Sequence, residues 1–315
     1  MAEDSDDGES VREAIERSQR GAPAAGAVIH DRFETHEVFQ RIVAAADEEA
    51  TTGHRELFFS ALAAGFAITI TYLLYASLTA ATDSDPLLSA LLYPLGFVFI
   101  ILGGYQLYTE NTLPPVVLLL ERLISVPRLL TIWTIVVLGN FAGGALGALV
   151  LARTGVFSES AATAATSLAM KGVNTPFWDL LFKAAFAGLI VAGVVWVVYA
   201  VRDNVTRFLV VYVAFFAIPF GNLYHVVVSF TELMYLVFRG RPELLLSGAV
   251  GFVFPVLVGN TLGGALLVTV VNYFQTTEER LDIARKDGFK RKLTAREWLL
   301  GRSYVPRIRK PEEED

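Results

Sequence analysis

The amino-acid sequence predicts an all-α membrane protein with six transmembrane helices, arranged as an inverted 3+3 repeat in which two helices are interrupted. Three observations carry this. Apolar runs lie near 57–80, 87–107, 129–151, 178–201, 208–238 and 245–274, and most exceed the roughly 20 residues that a helix needs to cross a bilayer. The segment LGNFAGGALGALV at 138–150 returns as VGNTLGGALLVTV at 258–270. Two of the runs are broken by glycine, proline and polar residues at comparable places.

Composition agrees. The chain of 315 residues is 54% hydrophobic and 18% charged, with a mean hydropathy of +0.49, whereas a soluble domain of this length carries more charge and shorter apolar runs. It has no cysteine, which excludes disulfides, thiolate metal sites and cysteine nucleophiles. Neither HExxH nor GxSxG occurs, and no paired aspartates lie in the apolar runs, so an intramembrane enzyme is not expected.

Taken in order, residues 1–55 form an acidic tail, with thirteen Asp and Glu against five Arg up to residue 50. Within it, THEVFQRIVAAADEE at 35–49 places Val38, Phe39, Ile42 and Val43 at helical spacing, which predicts a short amphipathic surface helix. The first span follows too late in the chain to be a cleavable signal peptide. The loop TDSDP at 82–86 has no basic residue, the second loop carries Arg122 and Arg128, and the fourth Arg202 and Arg207. The third loop, with Arg153 and Lys171, is neutral and the fifth, with Arg239 and Arg241, runs against the trend, while the segment from Arg280 to Lys310 holds eleven basic residues. Basic residues mark the cytoplasmic side, and this distribution places both termini there, in a multi-pass protein of the plasma membrane. Residues 56–276 are then the transmembrane domain, and 277–315 a charged cytoplasmic tail containing an amphipathic helix.

The two glycine-rich copies fall on spans three and six. Gly139, Asn140, Gly143, Gly144, Ala145 and Leu146 match Gly259, Asn260, Gly263, Gly264, Ala265 and Leu266. An offset of three spans makes the copies cross the membrane in opposite directions, as an inverted repeat requires. The glycines let helix backbones approach closely. Asn140 and Asn260 are unfavourable in hydrocarbon unless bonded or facing water; each either ties a helix to its neighbour's backbone or lines a pore. Span two ends in ILGGYQLYTENTLPPV at 101–116, and span five contains IPFGNLYHVVVSFTE at 218–232. Such breaks survive in lipid only where the freed backbone groups are buried in protein or line a cavity, so two of them point to a transport site near the midplane.

His225 is the sharpest candidate residue, since the other three histidines precede the first span. Its charge can change near neutral pH; burial among apolar side chains opposes that charge and an arriving anion favours it. A neutral histidine bonded to a helix is the alternative. Glu232 follows by seven residues on the same helical face, where a proton path, an ion pair or a packing role is possible. No further His or Cys could complete a metal-ligand set, and nothing calls for a cofactor or for nucleic acid.

Together these residues resemble the formate/nitrite transporter family, in a divergent branch. The resemblance covers about 56–276. QLYTEN at 106–111 resembles the family's loop after the first half of helix two, Gly139–Asn140 its helix-three motif, Gly259–Gly264 its helix-six motif, and His225 its central histidine. The resemblance implies an aquaporin-like fold, five protomers in a ring, one pore per protomer, and passage of small monovalent weak-acid anions across the lipid bilayer without chemical change. It implies Thr109 as the hydrogen-bond partner of His225, Leu107 and Tyr108 as a constriction beside it, and Lys171 as an anion-attracting charge at the outer vestibule. Lys171 reads equally as a solvated interfacial lysine. Tyr93, Phe97 and Ile218 are apolar candidates for narrowing the other side. The chain departs from the family pattern in Tyr224–His225–Val226, where Glu-His-Ser is usual, in Gly188 near a usual asparagine, and in Glu110 where a small residue is common. An aquaporin-like pore for water, ammonia or a polyol shares the architecture and remains the rival reading.

Overall fold

The computed structural model describes residue 33, residues 35–275 and residues 292–301, and every regular element among them is a helix. In chain order these are α1 (Thr35–Thr51), α2 (His54–Ala81), α3 (Pro86–Gly103), α4 (Pro114–Leu120), α5 (Val126–Arg153), α6 (Glu159–Val173), α7 (Phe177–Ala200), α8 (Asn204–Phe220), α9 (Val226–Phe238), α10 (Leu244–Phe274) and α11 (Ala295–Leu300). Five of them, α2, α3, α5, α7 and α10, are long and apolar enough to cross a membrane. The fifth predicted run is divided into the shorter apolar helices α8 and α9.

Local chemistry sets several of these starts. The Ser125 side chain accepts from Arg128 N–H to open α5, Ser158 accepts from Ala161 N–H to open α6, and Asp203 accepts from Thr206 N–H to open α8. Each satisfies one of the donors that a helix N-terminus leaves free.

α6 departs from the sequence expectation of a loop. It is built of alanine, serine and threonine, so its hydropathy gives no signal. Yet it buries Ala161, Ala165, Ala169 and Gly172, and Tyr72 of α2 donates to the Ala165 carbonyl at 2.8 Å. The predicted helix at 35–49 is present as α1, but it is not a free surface helix. Its Val38, Phe39 and Ile42 are buried against Leu113, Val117, Ala192 and Val195. Of the predicted tails, residues 1–32, Glu34, 276–291 and 302–315 lie outside the described residues. The part of the C-terminal tail that is described docks on the second loop: Leu293 N–H donates to the Arg122 carbonyl at 2.8 Å, Lys292 pairs with Glu121 at 3.2 Å, and Trp298 Nε1 donates to the Leu119 carbonyl at 2.8 Å.

The two glycine-rich copies make matching contacts. A Cβ on Gly65 of α2 would run into the Asn140 backbone, and one on Gly188 of α7 into the Asn260 backbone. Gly143 sits against the Leu62 carbonyl as Gly263 sits against that of Ala185. α5 is thereby pressed onto α2, and α10 onto α7. The Asn140 side chain accepts from Tyr108 N–H at 2.9 Å and donates to the carbonyls of Ala61 at 2.8 Å and Gln106 at 2.9 Å. The Asn260 side chain accepts from Val226 N–H at 2.8 Å and donates to the carbonyls of Ala184 at 2.7 Å and Tyr224 at 3.0 Å. Both interruptions also turn alike. α3 ends on Gly104 at φ 68° with Tyr105 N–H bonded to the Ile100 carbonyl; α8 ends near Asn222 at φ 53° with Leu223 N–H bonded to the Ile218 carbonyl. Each is a helix closed by a left-handed residue that returns a stray N–H to the last turn.

At the inner end of α1, Glu49 turns into the protein. Gln106 Nε2 donates to its Oε1 at 3.4 Å, while Oε2 is buried without a hydrogen-bond partner. Burial raises its carboxyl from 4.5 to about 7, the Gln106 bond opposing this and neighbouring Glu48 adding to it. The folded state therefore holds this proton more tightly than the unfolded chain, and stability falls as pH rises from about 4.5 to about 7.

Asn140→Ala and Asn260→Ala should each lower the thermal midpoint of the detergent-solubilised protein. Each leaves a loop N–H and carbonyl buried and unpaired, at a cost of about 1–3 kcal/mol. Gly65→Ala and Gly188→Ala, which force backbones apart, should cost about 1–3 kcal/mol. Glu49→Gln should raise the midpoint at pH 8 and leave it unchanged at pH 4, as read by thermal unfolding of both proteins across that range.

Candidate functional site

The second interruption places His225. Pro219 lies in the last turn of α8, Asn222 reverses the chain, and α9 starts at Val226 with His225 as the residue before it, in extended conformation. Asn260 bonds the residues on either side, the Tyr224 carbonyl and the Val226 N–H, so the backbone of His225 is clamped at both flanks. Asn140 does the same around Leu107 through Gln106 and Tyr108. That clamp fixes the loop on which Thr109 stands.

The imidazole is 1% exposed. Its Nε2 lies 2.8 Å from Thr109 Oγ1, and its Nδ1 is buried with no hydrogen-bond partner. Thr109 is 1% exposed. Thr112 donates its hydroxyl to the Thr109 carbonyl at 2.7 Å, which stiffens the turn carrying it. The Phe97 ring meets the imidazole edge-on, with centroids 4.8 Å apart, and stacks on Phe215 at 4.0 Å. Tyr93 packs on Phe97 at 5.6 Å.

Two cavities flank this core. The smaller, about 40 Å³, is lined by His225, Ser229, Glu232, Lys171, Tyr75 and Tyr93 among others. The larger, about 400 Å³, lies on the α1 side, where Gln106, Glu110, Asn111, Ser60, Tyr105 and Tyr199 face Glu48, Glu49 and Glu56. One cavity thus mixes a lysine, a carboxyl and the imidazole; the other is acidic.

The structure brings most of the expected residues together. His225 and Thr109 are bonded, and Lys171 and Glu232 share the cavity of His225. Leu107, Tyr108, Tyr93, Phe97 and Ile218 belong to one buried apolar cluster, of which Phe97 meets the imidazole. Tyr93 also lines the small cavity. Tyr108 is held to α10, its hydroxyl 2.7 Å from Thr261 Oγ1 and its ring against Trp133. The Asn140 and Asn260 side chains are bonded to backbone groups and are not among the residues that line these two cavities. Sequence reasoning missed Ser229 and Phe215. Ser229 lies four residues after His225, and the spacing that singled out Glu232 would have found it. Phe215 carries no signal beyond its hydrophobicity. Among the described residues no cluster of His, Asp or Glu could hold a metal ion.

Comparison with known proteins follows the same lines. The inner membrane protein YfdC of Escherichia coli (strain K12) is 29% identical over 226 residues, covering 70% of this chain and 71% of YfdC. A solved structure described as an FNT family ion channel superposes with a TM-score of 0.70 at 20% identity, over 76% of this chain and 99% of that one. A pentameric formate channel with formate bound superposes with a TM-score of 0.62 at 18% identity, over 70% of this chain and 96% of that one. The model of the formate/nitrite transporter family matches residues 36–274, more than half of the chain, and the protein belongs to that family.

Proposed function

We propose that the protein passes small monovalent weak-acid anions of the formate or nitrite kind across the plasma membrane, through a pore in each protomer of a homo-pentamer, with passage linked to a proton at His225. The proposed frame is six spans in an inverted 3+3 repeat, α8 and α9 together forming the fifth, with both termini cytoplasmic. Residues 1–55 and 277–315 serve as its tails. Membership of the family and the likeness to a pentameric formate channel support this reading.

The observation that carries it is the imidazole itself. It is buried, bonded to Thr109 through one nitrogen and left without a partner at the other, between a cavity holding Lys171 and a cavity lined by carboxylates. Lys171 raises the local concentration of anions at one mouth. An anion that reaches the unpartnered side of a charged imidazole takes its proton: the N–H bond breaks, an O–H bond forms, and a neutral acid and a neutral histidine result. The neutral acid passes the apolar ring of Leu107, Phe97 and Ile218 without the penalty for bare charge. It then crosses the acidic cavity without repulsion.

That acidic cavity also favours a second reading, a pore for a small neutral solute such as water, ammonia or a polyol. Such a pore needs no titratable centre, and its flux would ignore the protonation of His225.

Flux of formate, nitrite and chloride into proteoliposomes, measured across a pH series, separates the two. Weak-acid flux should rise as pH falls, chloride should not follow it, and His225→Asn should lower the flux and flatten its pH dependence. If neither protein moves an anion while water or ammonia passes, the neutral-solute reading replaces the first. Lys171→Gln should reduce anion flux at low ionic strength, and the reduction should shrink as salt screens the charge over about 10 Å at 0.1 M.

A further inference from the structure

We propose that Glu232 reloads His225 with protons, taking each from the aqueous phase at the Lys171 mouth and passing it on through Ser229. This rests on the proton-linked reading of His225 and assigns the return half of that cycle. Every anion that leaves as neutral acid carries a proton away, so the imidazole must regain one before the next anion arrives. Its Nε2 is engaged by Thr109 Oγ1 at 2.8 Å. Its Nδ1 is buried without a hydrogen-bond partner and is the nitrogen left to receive that proton.

Helix geometry sets the path. Ser229 N–H donates to the His225 carbonyl at 2.9 Å, so helical spacing already holds at the start of α9. His225, Ser229 and Glu232 stand at i, i+4 and i+7, which stacks them along one face with about 5–6 Å between successive Cβ atoms. All three line the smaller cavity together with Lys171 of α6. The stripe leads away from the interruption and toward α6, where the Tyr235 hydroxyl donates to the Ala162 carbonyl at 3.4 Å. A cavity of about 40 Å³ has room for a few waters beside the stripe, and a serine hydroxyl both accepts and donates.

The chemistry of the surroundings singles out the carboxyl. Tyr72 and Tyr75 of α2, Tyr93 of α3, Tyr224 before α9 and Lys171 of α6 lie within electrostatic reach of Glu232. Phenols and ammonium groups have reference values of about 10, so they hold their protons where a weak acid is carried, whereas a carboxyl exchanges its own. In one cycle hydronium gives a proton to the Glu232 carboxylate and an O–H bond forms. That bond breaks as the Ser229 oxygen accepts the proton and releases its own, and an N–H bond forms on His225. Glu232 is left as a carboxylate beside Lys171, ready for the next proton.

Two fluxes of labelled formate in proteoliposomes separate reloading from passage. Net uptake into formate-free vesicles needs a fresh proton at His225 for every anion. Exchange at equal formate on both sides does not, because acid returning from the far side hands its proton back. Glu232→Gln, which keeps the shape and hydrogen-bonding capacity of the side chain, should slow net uptake by at least about tenfold and exchange far less. Ser229→Ala should act in the same sense, and Glu232→Asp should recover part of the net rate. Net uptake at the wild-type rate in Glu232→Gln overturns the proposal. An equal loss of both fluxes in folded variants overturns it as well, since a merely structural role would lower them together. If Glu232→Gln does not fold, Ser229→Ala and Glu232→Asp carry the same comparison. Wild-type flux that ignores both pH and His225→Asn would bring down the proton-linked reading and this inference with it, a result obtained before any Glu232 variant is made.

Discussion

A helix interrupted inside a membrane frees peptide groups where no water can take them, and each one left unpaired is unfavourable by several kcal/mol. This chain interrupts two helices and answers each with one asparagine. Asn140 and Asn260 each accept one N–H and hold two carbonyls, and in both cases two of those three bonds fall on the interrupted segment. The glycines serve the same end. With no side chain, Gly65 and Gly188 let the neighbouring helix close onto the asparagine's own backbone, which brings the amide within reach of the gap. From these two anchors follow the placement of Leu107, the stance of Thr109 and the orientation of His225. The imidazole stands where it does because a residue 35 positions along the chain, Asn260, grips the peptide groups on both sides of it.

Much of this is legible in the sequence, because bilayer physics leaves long traces. The apolar runs give the spanning helices, the recurrence of Gly-Asn-x-x-Gly-Gly gives the correspondence between two parts of the chain, and the Pro-Gly-Asn cluster gives the break before His225. What is not legible depends on direction. An asparagine in an apolar run reads as bonded or as water-facing, and only coordinates show the amide turned onto backbone. The bond from Thr109 to His225 joins positions 116 apart, and no spacing argument connects them; the family resemblance supplied it. α6 was invisible because alanine and threonine pack tightly without looking apolar. The acidic cavity was invisible for another reason. Glu48 and Glu49 read as solvated charges near a polar tail, whereas the apolar face of α1 docks on Leu113 and Val117 and turns them toward the cavity that Glu56 of α2, Gln106 and Glu110 also line.

The chain thus joins a permissive scaffold to an individual lining. Glycine contacts and asparagine clamps involve backbone and tolerate little change, whatever side chains the clamped residues carry. Val226 contributes its N–H to the clamp whatever its side chain. Tyr224 contributes its carbonyl in the same way. The triplet around the histidine can therefore depart from the usual family residues with no disturbance of the frame.

The cavities on the two sides of His225 differ in a way that bears on hydration. About 40 Å³ on the Lys171 side has room for a few waters, while about 400 Å³ on the α1 side has room for many. On the proposed path, a solute in the larger space would keep most of its aqueous shell up to the Thr109 loop. One approaching from the smaller space would shed that shell early and meet the lysine, the serine and the imidazole as substitutes for it. Stripping and rewetting would then take place at different depths in the two directions of travel, and the barrier profile would be skewed even with its two ends level.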